Sequence, residues 1–238
     1  MNHATKLFAG LAMGASIVGC ESTGLSPRAG REDYSKTVYT LYDAPAAGSV
    51  QSSLSFPAKV GVVMLGEVSP PASMIEILRK NPQVFSRVES VPYASREDKS
   101  TETIGQSSYT RCEVKPDIDK MQRIARDLGM DSLLIVGGTV DQGSGPTALT
   151  LLDVTIVGAF VVPSREIKTE GKASAMLIDL STQRPAMIST TDARAWRMAP
   201  SVSTERNKDD QARDVRDLAL QKLAEQVVQD ASQRKAKG

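Results

Sequence analysis

PDIDKMQRIARDLGMDSLLIVGGTV, residues 116–140, is the stretch whose reading decides the fold. After Asp117, Ile118, Met121, Ala125 and Leu128 fall on one helical face, and Gly129 supplies the stop. SLLIVGGTV (132–140) follows at once and reads as a buried strand. Upstream, KVGVVML (59–65) is a second β-branched run, closed by Gly66 and Pro70-Pro71. Between them SMIEILRKN (73–81) sets Met74, Ile75, Ile77 and Leu78 at helical spacing and stops before Pro82. VFSRVESV (84–91) then alternates well enough for a half-buried strand, and Pro92 to Thr110 reads as a long polar surface loop. Strand, helix, strand, helix, strand in that order implies an α/β layer.

Downstream the chain is β-rich. TLLDVTIVGAFVVP (150–163), IKTEGKASAMLIDL (167–180) and PAMISTTDARAW (185–196) follow one another without helices, as antiparallel strands do. In DDQARDVRDLALQKLAEQVVQD (209–230), Val215, Leu218, Ala219, Leu223 and Val227 line one side of an amphipathic helix that would cover the sheet. The expected fold is α/β: a mixed sheet covered by helices, β-α-β-α-β followed by antiparallel strands and a C-terminal helix. Strands are expected near Val60 to Leu65, Leu133 to Thr139, Val154 to Val162 and Ala173 to Leu180.

Composition narrows the function classes. The chain has 238 residues, 40% hydrophobic and 24% charged, enough to bury one aliphatic core. Its 29 basic and 28 acidic side chains nearly cancel, which argues against a nucleic-acid binder that relies on net positive charge. The one histidine, His3, lies at the extreme N-terminus. If that end is removed, Ser-His-Asp triads, Cys-His dyads and His-ligated metal sites disappear together, so no metal site or cofactor is expected.

The N-terminal residues give an address. MNHATK carries the positive charge of the amino terminus and Lys6, and the uncharged apolar run LFAGLAMGASIVG (7–19) follows, shorter than the ~20 residues of a membrane-spanning helix. It ends Ile17-Val18-Gly19-Cys20, which resembles the bacterial lipobox, with Cys20 as the thiol that accepts a diacylglyceryl group. Residues 1–19 are therefore read as a lipoprotein signal peptide. Cys20 becomes the lipidated (palmitate-bearing) N-terminus, and acyl chains at about 0.8 kcal/mol per buried methylene make the anchor stable. Glu21 stands where aspartate would signal inner-membrane retention, so the outer membrane, with the domain facing the periplasm, is the expected location and the inner membrane the alternative. Residues 20–55, rich in Ser, Gly, Ala and Pro, read as a tether, 56–232 as a single α/β domain and 233–238 as a basic tail. Cys112 is then the one free thiol and reads as an inert side chain.

LLIVGGTVDQG, TLLDVTIVGAFVVPSRE and ASAMLIDLSTQR, along the stretch from Leu133 through Asp179, resemble the rhombotarget lipoprotein family of bacterial envelope proteins. The segment Thr155-Ile156-Val157-Gly158-Ala159-Phe160-Val161-Val162-Pro163 is the most diagnostic piece, and the similarity runs from about Lys59 to Asp230. The resemblance implies a lipid-anchored envelope domain and no enzymatic residues. Many members of that family end in a Gly-Gly sorting tail. This chain ends QRKAKG, so the resemblance carries over the domain and the anchor and not the sorting.

Few residues carry chemistry. Gly137-Gly138, with Gly143 and Gly145, has the look of a phosphate loop, but no Gly-Lys-Ser/Thr follows, and a tight turn between strands is the plainer reading. Asp153 and Asp179, if close, would share a proton or hold a cation; otherwise Asp153 faces solvent and Asp179 opens a turn. Trp196, flanked by Arg194 and Arg197, would make a ligand platform, or else packs over a sheet edge while the arginines pair with carboxylates. Arg234, Lys235 and Lys237 would touch anionic lipid or peptidoglycan, or form a charged frayed end.

By order of elements the chain also resembles periplasmic domains of secretion-channel lipoproteins and of lipoproteins that activate cell-wall synthases. The leading expectation is a non-enzymatic envelope protein whose domain binds an envelope protein or its own copies, with no nucleic-acid partner. The alternatives are a subunit of an oligomeric secretion or pore assembly, and a hydrolase working through carboxylates.

Overall fold

In the computed structural model, residues 54–104, 107–149 and 162–236 are described, the side chains of 98–113 excepted. In chain order the elements are β1 (Ala58–Met64), α1 (Ala72–Arg79), β2 (Phe85–Ser90), β3 (Ser95–Ile104), β4 (Ser107–Pro116), α2 (Ile118–Asp127), β5 (Ser132–Pro146), β6 (Arg165–Asp179), β7 (Arg184–Ala199) and α3 (Thr204–Lys235). A 3₁₀ turn at Ser201–Ser203 leads into α3.

β1 sits inside the main sheet, whose order is β2-β1-β5-β6-β7, because Val60, Val62 and Val63 bury both of its faces. It runs parallel to β2 and β5, while β5, β6 and β7 are antiparallel neighbours, so the sheet is mixed as expected. α1 and α3 pack on one face around Met74, Leu78, Phe85, Leu134, Leu177 and Leu223. α2 packs on the other through Met121 and Ala125, against Val63, Leu133, Ile135, Met176 and Ile178. Asp117 caps α2 by accepting from the Lys120 amide at 2.9 Å, and Gly129 ends it at φ 71°, the left-handed conformation that favours glycine.

Four expectations need correction. Pro92 to Thr110 is not a loop throughout, because β3 and β4 pair antiparallel from Ser95↔Pro116 to Ile104↔Ser107 in a sheet of their own. Such a polar ribbon satisfies its backbone by pairing and lacks the apolar alternation by which strands are recognised. Gly137-Gly138 is not a turn, since β5 runs straight through it, opposite Ser174 and Ala173. Leu218 is 41% exposed on the flank of α3, and Leu220 is buried in the core instead. Leu128 is the C-cap of α2 and 39% exposed, outside the buried face. The strand expected from Val154 to Val162 falls almost wholly outside the described residues, as do the signal peptide, the lipobox and the tether up to Ser53.

α3 is long enough to back the sheet from end to end. Its 32 residues span about 48 Å at 1.5 Å each, matching the roughly 50 Å of a 15-residue strand such as β6. Gly171 on β6 lets it approach closely, because a Cβ there would lie 2.9 Å from Val215 Cγ1 and 3.3 Å from the Val215 carbonyl oxygen. Side chains tie the helix at both ends. Gln142 Nε2 donates to the Lys208 carbonyl at 2.5 Å, and Ser189 Oγ donates to Asp230 Oδ2 at 2.5 Å. Among the described residues no helix is long and apolar enough to cross a membrane.

Candidate binding face

β5, β6 and β7 extend well beyond β1, and on its side of the sheet α2 covers only the start of β5 and β7 and the end of β6. Past that point the register sets rows of three side chains on one face that no described helix or strand covers. Thr139, Lys172 and Asp192 form one row, followed by Asp141 with Glu170 and Arg194, Gly143 with Lys168 and Trp196, and Gly145 with Glu166 and Met198. No described atom lies within 4 Å of where a Cβ would stand on Gly143 or Gly145. An open concavity of about 820 Å³ is lined by Asp141, Gly143, Lys168, Glu170, Arg194 and Trp196 among others.

Charges of both signs hold this face. Lys168 Nζ lies 3.0 Å from Glu166 Oε1, and Arg194 bridges Glu170 at 3.1 Å and Asp192 at 3.7 Å. The Trp196 indole, 61% exposed, donates from Nε1 to Glu166 Oε1 at 2.6 Å. Hydrogen bonds from Lys168 and then Trp196 hold the Glu166 carboxyl below its ordinary range. Glu166 is therefore a fixed anion at neutral pH, suited to orienting an indole or pairing with a cation and unsuited to donating a proton.

Trp196 and Arg194 share the face on the edge strand β7, and Arg194 pairs with a carboxylate there, as in the sheet-edge reading. Arg197 does not share that face, because it points to the α3 side and pairs with Asp214 at 3.7 Å. Asp179 is 2% exposed and occupied in the β6–β7 turn, where Oδ1 accepts from the Ser181 amide at 2.8 Å, the Ser181 hydroxyl at 2.6 Å and the Thr182 amide at 3.4 Å. The turn reading of Asp179 is thus the observed one, and Asp153 lies outside the described residues. Cys112 sits on β4 opposite Lys99. Arg234 and Lys235 belong to the last turn of α3, where Lys235 Nζ donates to the Gln83 carbonyl at 2.9 Å, and Lys237 is outside the described residues. Glu166, Lys168 and Glu170 were not singled out from sequence, although charge at every second residue of EIKTEGK is the mark of a solvated strand face.

No family model matches the chain, and no curated protein matches it. Among solved structures it is similar to the PelC dodecamer from Paraburkholderia phytofirmans, at 14% identity over 72% of this chain and 88% of that one, with a TM-score of 0.29. It is also similar to lipoprotein GNA1162 from Neisseria meningitidis, at 14% identity over 65% and 99% of the two chains, with a TM-score of 0.28. A third likeness is to the hypothetical protein CT253 from Chlamydia trachomatis, at 10% identity over 74% and 95%, with a TM-score of 0.26. Likenesses of this size leave the functional reading to the chain's own residues. Among the described residues no group of three His, Cys, Asp or Glu side chains is placed to hold a metal ion.

Proposed function

We propose that the protein is a lipid-anchored cell-envelope protein whose domain works by binding another protein rather than by catalysis. The observation that carries this reading is the β5-β6-β7 face left open by the described elements, with an exposed indole, paired charges of both signs and a concavity at Gly143. An acid and a base set apart in pKa would mark a catalytic centre. Here Glu166 and Glu170 are both engaged by cations. The anchor rests on Ile17-Val18-Gly19-Cys20, and the resemblance to rhombotarget lipoproteins enters the proposal through that anchor and the domain alone.

A photoreactive side chain in place of Lys168, at the centre of the face, tests the reading in intact cells. One discrete envelope protein is the expected adduct, and Cys20→Ala is expected to abolish palmitate labelling and release the protein from membranes. Turnover of an ester, phosphate, glycoside or peptide by the purified protein, lost on Asp153→Asn or Asp179→Asn, would overturn the binding reading in favour of a carboxylate hydrolase.

A further inference from the structure

We propose that the partner at this end of the sheet is a second copy of the chain, joined through the outer edge of β7 about a two-fold axis at Ala193. The inference rests on the binding reading of the domain and adds to it a contact between copies along the edge beside that face, which the pairing leaves open. β7 ends the sheet order, with β6 on one side and no described strand on the other. Exposed edges are normally blunted by shortness, proline, bulges or charged side chains. From Met187 to Ala199 β7 is long, without proline, and its one register shift lies at the Leu177/Ile178 end of its pairing with β6, so charge, at Asp192, Arg194 and Arg197, is the device it carries. Among the described residues, the side-chain hydrogen bond to a carbonyl of this run is the long one from Lys222 Nζ to Asp192, 3.5 Å.

The sequence of the edge is complementary to itself in one register. A two-fold axis normal to the sheet at Ala193 sets residues equally far before and after it opposite one another. On the face opposite α3 Asp192 then meets the partner's Arg194, Thr190 meets the partner's Trp196, and Ile188, at the margin of the α2 core, meets the partner's Met198. On the α3 face the residues nearest the axis are Ala193, Thr191 and Ala195, small enough for two helix-backed strands to approach. Moving the axis one residue sets Asp192 against its own copy, or Arg194 against its own copy, and like charges directly opposite are destabilising. Charges that would repel a foreign strand therefore select this pairing. Arg194, already held by Glu170 from within, would lie between two acids, and the exposed Trp196 and Met198 would be covered.

Full-length protein in its native envelope, with Cys112→Ser as background, tests the register. Copies carrying Thr190→Cys and copies carrying Trp196→Cys, expressed together, are expected to form a disulfide-linked heterodimer on oxidation. Thr190→Cys alone is expected to stay unlinked, since its two copies would stand about 20 Å apart along the strands. Asp192→Arg or Arg194→Asp should each weaken dimer formation about tenfold in detergent, and the double exchange should restore it. Linking by Thr190→Cys alone as efficient as by the mixture, no linking by the mixture, or a folded double exchange that stays as weak as the singles would overturn the pairing. A monomer that still gives a discrete foreign adduct at Lys168 would overturn the pairing while sustaining the binding reading.

Discussion

Replacing Gly171 by alanine should destabilise the domain, although alanine in a strand is ordinarily the better residue. The new Cβ would stand 2.9 Å from Val215 Cγ1 and 3.3 Å from the Val215 carbonyl oxygen, so either Val215 turns or α3 moves. Val215 is buried and β-branched, and such a residue in a helix has one strongly preferred rotamer. The helix is held by the Gln142 and Ser189 hydrogen bonds on either side of the contact. Overpacking of this kind costs about 1–3 kcal/mol, and the entropy gained by removing a glycine offsets about 0.5–1 kcal/mol. At the middle of those ranges the net loss is about 1 kcal/mol. Val215→Ala alone removes two buried carbons and should cost about 1–3 kcal/mol. In the double variant the new methyl enters the space that Cγ1 vacates, so the combined loss should fall short of the sum by about 1 kcal/mol or more. Urea unfolding followed by circular dichroism reads all four proteins, with a common m-value as the check that only stability has changed. A neutral or stabilising Gly171→Ala, or losses that add within about 0.3–0.5 kcal/mol, would refute the close-approach argument.

Three further outcomes follow from particular side chains. Gln211 is buried on α3 with neither amide atom hydrogen-bonded, so Gln211→Met should raise stability by about 1–2 kcal/mol, and a loss in urea unfolding would count against that reading. Asp179→Ala strands the Ser181 and Thr182 donors of the β6–β7 turn and should cost about 1–3 kcal/mol, so an unchanged unfolding midpoint would contradict the turn assignment. Because Lys168 and Trp196 favour the ionised form of Glu166, its folded pKa lies below the unfolded one. The contact should be fully present above the unfolded pKa and be lost as pH falls through the folded pKa. Fluorescence of Trp196, the sole tryptophan, should therefore titrate below the ordinary glutamate range and lose that transition in Glu166→Gln; a midpoint within or above that range would contradict it.

Burial on both faces is what made part of this fold legible. Val60 to Met64 and Leu133 to Val136 are continuous apolar runs because helices cover both of their sides, and α2 announced itself by its periodicity, its Asp117 cap and Gly129. The run of β3 and β4 reads as loop because polar residues dominate it, and the glycines of β5 read as turn chemistry although pairing with β6 keeps them extended. Trp196 and Arg194 could be picked out as residue types. Their partners Glu166, Lys168 and Glu170 could not, because who stands opposite whom depends on the register set by the turn at Asp179, which no local pattern encodes.

The hydrogen bond from Lys235 to Gln83 also gives the molecule a polarity. Gln83 precedes β2, and Ala58 at the start of β1 donates to Val84 at 3.0 Å, so the helix end and the chain's entry into the sheet occupy one pole. Trp196 lies toward the other, about 40 Å away along β7 from Arg184 at ~3.3 Å per residue. A lipid at Cys20 would tie the membrane to the near pole through the tether and leave the indole at the end of the sheet farthest from the attachment. Shortening the stretch between Cys20 and Leu54 would then change how far from the bilayer that tip can search without altering what the tip recognises.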